Sequence, residues 1–439
     1  MRLRTLGSDS DAGADSERAA TPSVRIRPER RTRGDLAIVV AIVMVVALVA
    51  AAVWWASTSR RASDDFAAAP LPSVDTATSA PAGFTSGWQA ASADTASTVV
   101  TNSAVVTADD GTVAGHDPGS GDVRWSYHRA DPLCGVIGAY TSSPRVVAVY
   151  RNSRGCSEVT ALDASDGRRA ATRASAADSS ITLSAGSDYV VSQGDSRLES
   201  WGSTMVRGVE YGRVSAPVKP GTQPRSGCVL LSSATGADQI AVIERCGDEP
   251  GYRLTIIAAA QDKDEKVDES GSRLITSGTT EPPPRVVAVS SSAVAVYVGA
   301  SGPLETDRGP QLQVYGMGAT LTSSHEVLGD PTPPADSHPQ MRDGLLSYYT
   351  GKSTIILDAS ALTPTYQVPG TLGPAALMGR DLLVPGPTGI TILDPATGRQ
   401  IRTIAVDRPG YRSGTITLAP IGNDVAQLYG GRIHMLLGT

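Results

Sequence analysis

The sequence predicts an all-β repeat domain behind a single N-terminal membrane helix. Three observations support this fold class. A long apolar run without charge lies near the start of the chain, short β-branched segments fill the region from about residue 84 onward, and a turn motif recurs within that region. The composition agrees, because 45 Gly, 29 Pro and only 19% charged residues are typical of a turn-rich β-protein.

The apolar run covers residues 36–56, LAIVVAIVMVVALVAAAVWWA. A helix rising about 1.5 Å per residue needs about 20 apolar residues to cross the hydrocarbon core, so the run predicts a membrane span. Positive charge stays on the cytoplasmic side, which places the N-terminus inside and the chain from residue 57 outside. The arginines close to the span on its N-terminal side are Arg25, Arg27, Arg30, Arg31 and Arg33. We predict an uncleaved signal anchor in the cell membrane, with a cleavable secretory signal or a twin-arginine signal as alternatives.

The composition on either side of the span sets the domain boundaries. Residues 1–35 lack apolar periodicity and are predicted to form a disordered cytoplasmic tail. Residues 57–83 contain mostly Ala, Ser, Thr, Pro and Asp, which predicts a flexible linker. Residues 84–439 then form the extracytoplasmic domain. The net charge of −6 and the absence of a basic cluster in this domain argue against nucleic acid as a partner.

Four cysteines lie in this domain as two local couples. Cys134 and Cys156 are 22 residues apart, and Cys228 and Cys246 are 18 residues apart. In an oxidising exterior an even count predicts disulfides, and we expect each couple to join neighbouring strands of one sheet. A zinc site is the alternative, but the sequence has no C-x-x-C spacing and its five His are scattered.

The recurring motif is an apolar strand followed by Asp, a small or polar residue, Gly, and an apolar or aromatic residue four positions after the Gly. The Asp can accept backbone N–H bonds, the Gly can take a positive φ, and the last residue can pack the outgoing strand. The strongest copies contain Asp117, Gly121 and Trp125, then Asp163 and Gly167, then Asp394 and Gly398. Weaker copies occupy residues 231–236 and 356–360, where Asp358 takes the Asp position. We predict that these residues have structural roles.

This motif resembles the quinoprotein-like (PQQ-type) β-propeller repeat, A-x-D-x-x-T-G-x-x-x-W, which closes each four-stranded blade. The chain is similar to the membrane-anchored PQQ-like propeller proteins common in actinobacteria, over roughly residues 84–439. The copies depart from the pattern at the Trp position, which is Ala171 after Gly167 and Arg402 after Gly398.

Counting four-strand units predicts eight blades, with seven as the alternative. The last unit has room for only three strands before the chain ends, and the segment beginning at Phe84 can supply the fourth and close the ring. The units are residues 97–127, 134–172, 181–212, 226–267, 285–327, 341–367, 373–404 and 414–437. Residues 261–270 and 329–339 are predicted to be surface loops because both are polar.

The resemblance implies a possible redox enzyme with PQQ and calcium on the propeller axis. The family's site includes a disulfide between adjacent cysteines, a Trp floor, and calcium-binding carboxylate and Asn residues. No adjacent Cys pair occurs here, and blade packing accounts for Trp88, Trp125 and Trp201. The sequence also lacks a G-x-S-x-G elbow, a Walker loop and an H-E-x-x-H motif.

We therefore assign no residue to catalysis, cofactor binding or metal binding. The prediction is a membrane-tethered, extracytoplasmic and non-catalytic binding or scaffold module, with protein partners in the cell envelope and no cofactor. A PQQ-dependent or other redox enzyme with calcium, and a ligand sensor, are the alternatives.

Overall fold

The computed structural model describes residues 32–56, 62–217, 219–261, 266–276, 282–299, 309–342 and 344–439. The chain divides into two compact units at residue 60. Of the tail predicted for residues 1–35, all but the last four residues lie outside the described part.

The first unit contains one helix, α1, which runs from Arg33 to Ala56. Thr32 and Asp35 form a reciprocal cap at its start, because the Asp35 N–H donates to Thr32 Oγ1 (3.2 Å) and the Thr32 N–H donates to Asp35 Oδ2 (2.8 Å). The helix is long and apolar enough to cross a membrane, and a signal sequence would pass the same test.

The second unit is a single eight-bladed β-propeller, which confirms the predicted fold class and the larger of the two blade counts. Each blade is an antiparallel sheet of four strands, and blade 1 carries a fifth. Two strands precede the first blade, β1 (Ser63–Asp65) and β2 (Phe84–Ala91).

The strands of blades 1 to 4 follow in chain order. Blade 1 contains β3 (Val99–Val100), β4 (Val105–Asp109), β5 (Thr112–His116) and β6 (Val123–His128), and blade 2 contains β7 (Leu133–Ala139), β8 (Arg145–Asn152), β9 (Gly155–Asp163) and β10 (Arg169–Ala174). Blade 3 contains β11 (Thr182–Ala185), β12 (Val190–Gln193), β13 (Arg197–Trp201) and β14 (Arg207–Gly212), and blade 4 contains β15 (Val229–Thr235), β16 (Gln239–Arg245), β17 (Arg253–Ala258) and β18 (Glu269–Leu274).

The strands of blades 5 to 8 complete the ring. Blade 5 contains β19 (Arg285–Val289), β20 (Ala293–Val298), β21 (Gln311–Gly316) and β22 (Leu321–Glu326), and blade 6 contains β23 (Gln340–Arg342), β24 (Leu345–Tyr349), β25 (Ser353–Asp358) and β26 (Pro364–Pro369). Blade 7 contains β27 (Ala376–Met378), β28 (Asp381–Gly386), β29 (Gly389–Leu393) and β30 (Gln400–Ala405), and blade 8 contains β31 (Thr417–Ile421), β32 (Asp424–Tyr429), β33 (Arg432–Gly438) and β2.

The predicted surface loop at residues 261–270 differs from the sequence-based expectation. The outer strand of blade 4 begins at Glu269, inside the predicted loop 261–270 and beyond the predicted blade end at 267. Val267 in the same stretch is buried, with 4% of its surface exposed. A polar sequence with charged residues is compatible with an outer strand whose side chains mostly face water, so polarity alone could not separate strand from loop.

The ring closes through strands from both ends of the domain. β2 pairs antiparallel with β33, from Phe84 opposite Gly438 to Ala91 opposite Arg432. β2 is therefore the outer strand of blade 8, as the strand count predicts. Closure of this kind ties the first segment of the domain to the last by a continuous hydrogen-bonded ladder.

Residues 62–83, which the composition predicts to be a flexible linker, lie against the propeller instead. We call this segment the strap. β1 within it pairs with β6 as the fifth strand of blade 1. Further along the strap, backbone N–H or C=O groups bond to blades 2, 1 and 7, in the pairs Ala67–Asp166 (2.9 Å), Val74–Asn102 (2.7 Å) and Thr78–Arg380 (3.0 Å). The strap thus spans the seam of the ring a second time.

The composition did not predict that the strap binds to the propeller, because the strap is held mainly through its backbone. Only small side chains enter the core from its second half, where Ala77 and Ala80 are 9% and 6% exposed and pack in the cluster shared by blades 7 and 8. Backbone hydrogen bonds leave no signature in a sequence of Ala, Ser, Thr and Pro.

Hydrogen bonds between two charged side chains and the strap backbone fix the C-terminal half of the strap. The Arg402 guanidinium donates to the carbonyl oxygens of Ala80 (2.9 Å) and Pro81 (2.8 Å). On the same segment the Ala80 N–H donates to Asp381 Oδ2 (2.9 Å), and Asp381 is 6% exposed. Arg402 occupies the position where the repeat pattern would have Trp, so a strap contact replaces a ring contact at this blade.

We expect Arg402→Gln to destabilise the domain by about 1–3 kcal/mol, because charged hydrogen bonds to carbonyl groups are lost. Thermal and urea unfolding of the purified domain would measure this change. Arg399→Gln is the matched control, since Arg399 is an exposed arginine near the start of the same outer strand. Equal stability of the two variants would show that the Arg402 contacts do not hold the strap.

Candidate functional site

The repeat turns lie between the third and fourth strands of their blades. In blade 7, Asp394 Oδ1 accepts the N–H groups of Ala396 (2.9 Å) and Thr397 (3.1 Å), and the Gly398 N–H donates to the Asp394 carbonyl oxygen (2.8 Å). Gly398 has φ of 68°. Asp117 with Gly121 in blade 1 and Asp163 with Gly167 in blade 2 have the same arrangement. These carboxylates are engaged in turn formation.

The turns are covered by aromatic rings from the preceding blade. The Trp125 ring of blade 1 lies over Gly167 of blade 2, where an added Cβ would come within 2.7 Å of the ring. Trp88 of blade 8 covers Gly121 of blade 1 in the same way, at 2.5 Å, and its Nε1 donates to the Pro118 carbonyl oxygen (2.8 Å). The rings therefore connect consecutive blades, and no room remains there for a quinone.

Of the two weaker copies of the repeat motif, one forms a repeat turn and the other does not. Residues 356–360 form a complete turn, in which Asp358 Oδ1 accepts the Ala361 N–H (2.7 Å) and Leu362 takes the Gly position with φ of 57°. Tyr366, four residues after Leu362, covers Gly398 of the next blade and donates to the Pro395 carbonyl oxygen (2.8 Å). The sequence pattern missed this ring because Leu and Tyr replace Gly and Trp.

Residues 231–236 do not form a repeat turn. They lie in β15 and at the start of the hairpin that follows it, where the Gly236 N–H donates to the Gln239 carbonyl oxygen (2.8 Å). The Ser-Thr-Gly string alone, without an Asp at its start, is common to many hairpins and does not specify the position of a turn within a blade.

Both predicted disulfides are present, Cys134–Cys156 and Cys228–Cys246. Cys228 and Cys246 flank the neighbouring strands β15 and β16, as expected. Cys134 lies on β7 and Cys156 on β9, with β8 between them, so the first bridge does not join neighbouring strands. A turn between β8 and β9 brings Cys156 close enough to β7 for the bond to form.

A buried carboxylate lies beside the second disulfide. The ligand atoms of Cys228, Glu244 and Cys246 lie within 4.8 Å of one another, but both sulfurs are already bonded to each other. Glu244 accepts hydrogen bonds from Tyr211 (2.8 and 2.9 Å), and burial raises the pKa of its carboxyl. In the oxidised protein this cluster is a satisfied structural element and does not offer a set of free metal ligands.

The main concave site is a cavity of about 610 Å³ on the propeller axis, which we call the axial cavity. The first strands of all eight blades line it, together with the segments 93–98 and 335–341. Part of the predicted surface loop 329–339 is thus a cavity wall, because Ala335, His338 and Pro339 belong to the lining. The volume lies within the usual range of ligand pockets.

The lining is small, aliphatic and nearly uncharged. Among its described residues Asp94 is the one carboxylate, His338 is the one imidazole, and Lys, Arg, Phe, Tyr and Trp are absent. Burial raises the pKa of Asp94, with a further contribution from the charge of Asp109. Burial and then the Arg285 charge lower the pKa of His338, so its ring is neutral at pH 7.

This lining does not fit PQQ with calcium. The quinone is a polycarboxylate and needs cationic or multiple donor groups, whereas Ca²⁺ needs 6–8 oxygen ligands that usually include several carboxylates. The described lining residues include one carboxylate and no cationic side chain. They therefore lack both the donors that the quinone needs and the oxygen ligands that Ca²⁺ needs. Of the three Trp residues considered for a ring floor, Trp88 and Trp125 cover repeat turns, and Trp201 is buried between blades 2 and 3.

The other histidines are accounted for within the blades. His116, His128 and His325 each have a hydrogen bond to a Thr or Ser hydroxyl, at 2.9, 3.1 and 3.0 Å. His434 is 8% exposed and its ring stacks on Tyr429, with centroids 3.9 Å apart and planes 2° apart. No His belongs to a metal-ligand cluster among the described residues.

No protein-family model matches the chain, and no curated protein sequence matches it. Among solved structures, the computationally designed Ika8 protein has a TM-score of 0.50 and 14% identity, covering 84% of this chain and 99% of that one. The N-terminal domain of Nup159 has a TM-score of 0.45 and 12% identity, covering 84% and 99%. Dihydro-heme d1 dehydrogenase NirN, in complex with DHE, has a TM-score of 0.44 and 12% identity, covering 73% and 66%. The Ika8 match shows a shared fold and carries no information on activity.

We expect Gly398→Ala to be clearly more destabilising than Gly370→Ala. Both glycines have φ of 68°, so the backbone strain of an alanine is the same. A Cβ at 398 would lie 2.6 Å from the Tyr366 ring, whereas at 370 nothing lies within 4 Å. Chemical unfolding should show an added loss of about 1–3 kcal/mol for the 398 variant. Equal losses would mean that the ring does not pack on the turn.

His434 should make the domain less stable in mild acid. Burial, with a smaller contribution from Arg432, lowers its pKa to about 4, so the folded state resists a proton that the unfolded state accepts below about pH 6.5. Its contribution is fully present above that pH and is lost as the pH falls toward 4, on the order of 1–2 kcal/mol at pH 5.

The melting temperature of His434→Gln, measured from pH 7.5 to 5, should therefore decrease less than that of the unaltered domain. An identical pH slope in the two proteins would contradict a neutral buried His434. The comparison depends on the slope, so a uniform loss of stability caused by the substitution does not affect it.

Proposed function

We propose that this chain is a membrane-anchored, extracytoplasmic β-propeller that acts as a non-catalytic binding or scaffold module in the cell envelope. The axial cavity is the observation that carries the proposal. It is concave and of ligand size, yet its described lining holds no nucleophile paired with a base, no carboxylate pair and no metal-ligand set. Such a lining suits recognition better than reaction chemistry.

The proposed location has two supports. α1 is long and apolar enough to act as the anchor, and five Arg residues lie close before the apolar run, between residues 25 and 33. The two disulfides favour an oxidising compartment for the propeller. With the N-terminus cytoplasmic, α1 would be the single membrane span.

An anchor of this kind limits which partners the propeller can meet. We propose partners that are themselves in the cell envelope, because tethering raises the effective concentration of a domain near its membrane.

We further propose that the repeat belongs to the quinoprotein-like type. The Asp and Gly turn, followed by an aromatic residue four positions later, occurs in blades 1 and 6, with Leu362 in the Gly position of blade 6. A PQQ-dependent redox enzyme is the alternative function that this type implies. The small, uncharged lining argues for the binding role over the enzyme.

Photo-crosslinking in intact cells tests the binding role. A photoreactive residue would replace Met341 at the cavity, and a matched one would replace Val123 on the outer strand of blade 1; their exposures are 57% and 56%. We expect a defined envelope protein to crosslink from position 341 and not from 123. Identical adducts at both positions, or none at 341, would contradict a binding role for the cavity.

Titration with PQQ and calcium tests the alternative with the same purified protein. The expected result is no saturable change in the quinone absorbance and no shift in the melting temperature. Stoichiometric binding would support the redox enzyme and overturn the non-catalytic assignment.

A further inference from the structure

The axial cavity is surrounded by unpaired strand edges. In each of the eight sheets the first strand, which lines the cavity, is a terminal member of its sheet. A terminal strand has N–H and C=O groups on one side without a ladder partner, so it can accept another extended chain. The outer strands also have a free edge, but those edges point away from one another, whereas the inner edges face a common enclosed space.

One of these inner edges is already used by the chain itself. The segment that connects β2 to β3 passes along the cavity wall, and Thr95 forms a parallel β-bridge with Val136 on β7. The Thr98 N–H donates to Thr417 Oγ1 (2.9 Å), which holds the same segment against blade 8. The inner edge of β7 therefore accepts a backbone partner at one residue, and turns and bends on either side of Thr95 limit the pairing to that residue.

The neighbouring edge is accessible to a second chain. β11 follows β7 around the ring, and its terminal residues Thr182 and Ala185 are exposed while both line the cavity. Ser184 on the same strand has a buried hydroxyl with no hydrogen-bond partner among the described residues. Three of its four side chains, those of Thr182, Ser184 and Ala185, are small and leave room for a chain to approach the backbone.

The lining determines which chain would fit. Aliphatic and small residues with hydroxyl groups suit short aliphatic or Thr and Ser side chains. With one carboxylate and no cationic side chain among the described lining residues, an acidic segment would lose solvation without gaining a partner.

We propose that the axial cavity binds an extended, non-acidic peptide segment of a partner protein by adding it to the free inner edge of β11. This inference rests on the proposed binding function and specifies its ligand. Backbone hydrogen bonds supply affinity in such strand addition, and the pockets between the edges supply side-chain selectivity.

The test uses the full-length protein in detergent and a defined probe. The probe is a fluorescently labelled, terminally blocked hexapeptide of alternating Val and Thr. Its control is the same peptide with alternate peptide nitrogens methylated, which keeps the side chains but removes the donors needed for pairing. We expect saturable binding of the probe, at least tenfold weaker binding of the methylated peptide, and similarly weakened binding when two Thr are replaced by Asp.

Two cavity-filling variants locate the binding site. Ala185→Trp adds a large ring at the exposed end of β11, and Ala335→Trp adds one to another part of the cavity lining, so that one variant can replace the other if it does not fold. Ala174→Trp on the outer strand β10 is the matched control, because Ala174 is also exposed and lies on a terminal strand. The probe should bind at least tenfold more weakly to the cavity variants and normally to the control.

Three results would overturn the proposal: no binding of the probe, equal binding of the methylated peptide, or weakened binding only in Ala174→Trp. None of these affects the crosslinking experiment at Met341, which reports on any partner of the cavity. A partner crosslinked at Met341 together with failed peptide binding would leave the binding function in place and refute strand addition as its mode.

Discussion

The pairing of β2 with β33 is the contact that makes this chain a closed ring. Eight blades built from one continuous chain leave one seam, which here lies inside blade 8, where noncovalent contacts alone join β2 to the last three strands of the chain. The ladder from Phe84 opposite Gly438 to Ala91 opposite Arg432 closes it within blade 8. The strap adds a second closure from Ala67 to Thr78 across blades 2, 1 and 7. Opening the seam would therefore require two independent sets of backbone hydrogen bonds to break.

Packing contacts between neighbouring blades stabilise the rest of the ring. Trp88, Trp125 and Tyr366 each cover a glycine turn in the following blade, so part of the packing of a blade is supplied by its neighbour. Valine, leucine and tyrosine side chains fill the remaining space between blade faces, as in the cluster that joins blades 1 and 2. Because every blade depends on two neighbours, a closed ring is more favourable than any open set of the same blades.

The sequence predicted the parts of this fold that repeat. The Asp and Gly turn recurs once per blade in several blades, which placed most blade boundaries and the closing strand at Phe84, and local spacing predicted both cysteine pairs. It did not predict the strap, because backbone bonds such as Thr78 to Arg380 need no particular side chain. Tyr366 was missed because its turn has Leu362 in place of Gly. The sequence also did not predict the axial cavity, because its lining comes from separate strands of all eight blades.

The same geometry that closes the ring explains why its axis is suited to recognition. Eight first strands converge there, each at the end of its own sheet, and among the described residues the bridge of Thr95 to Val136 is the one backbone pairing on these inner edges. Exposed edges are a hazard in most proteins, but here they face one another inside a cavity of about 610 Å³ that a second folded domain is too large to enter. A single extended chain is narrow enough to enter, and the bridge of Thr95 to Val136 shows that an inner edge can accept a backbone partner. Selection by size and by backbone pairing requires no charged or catalytic side chain in the wall, which agrees with the lining that the described residues provide.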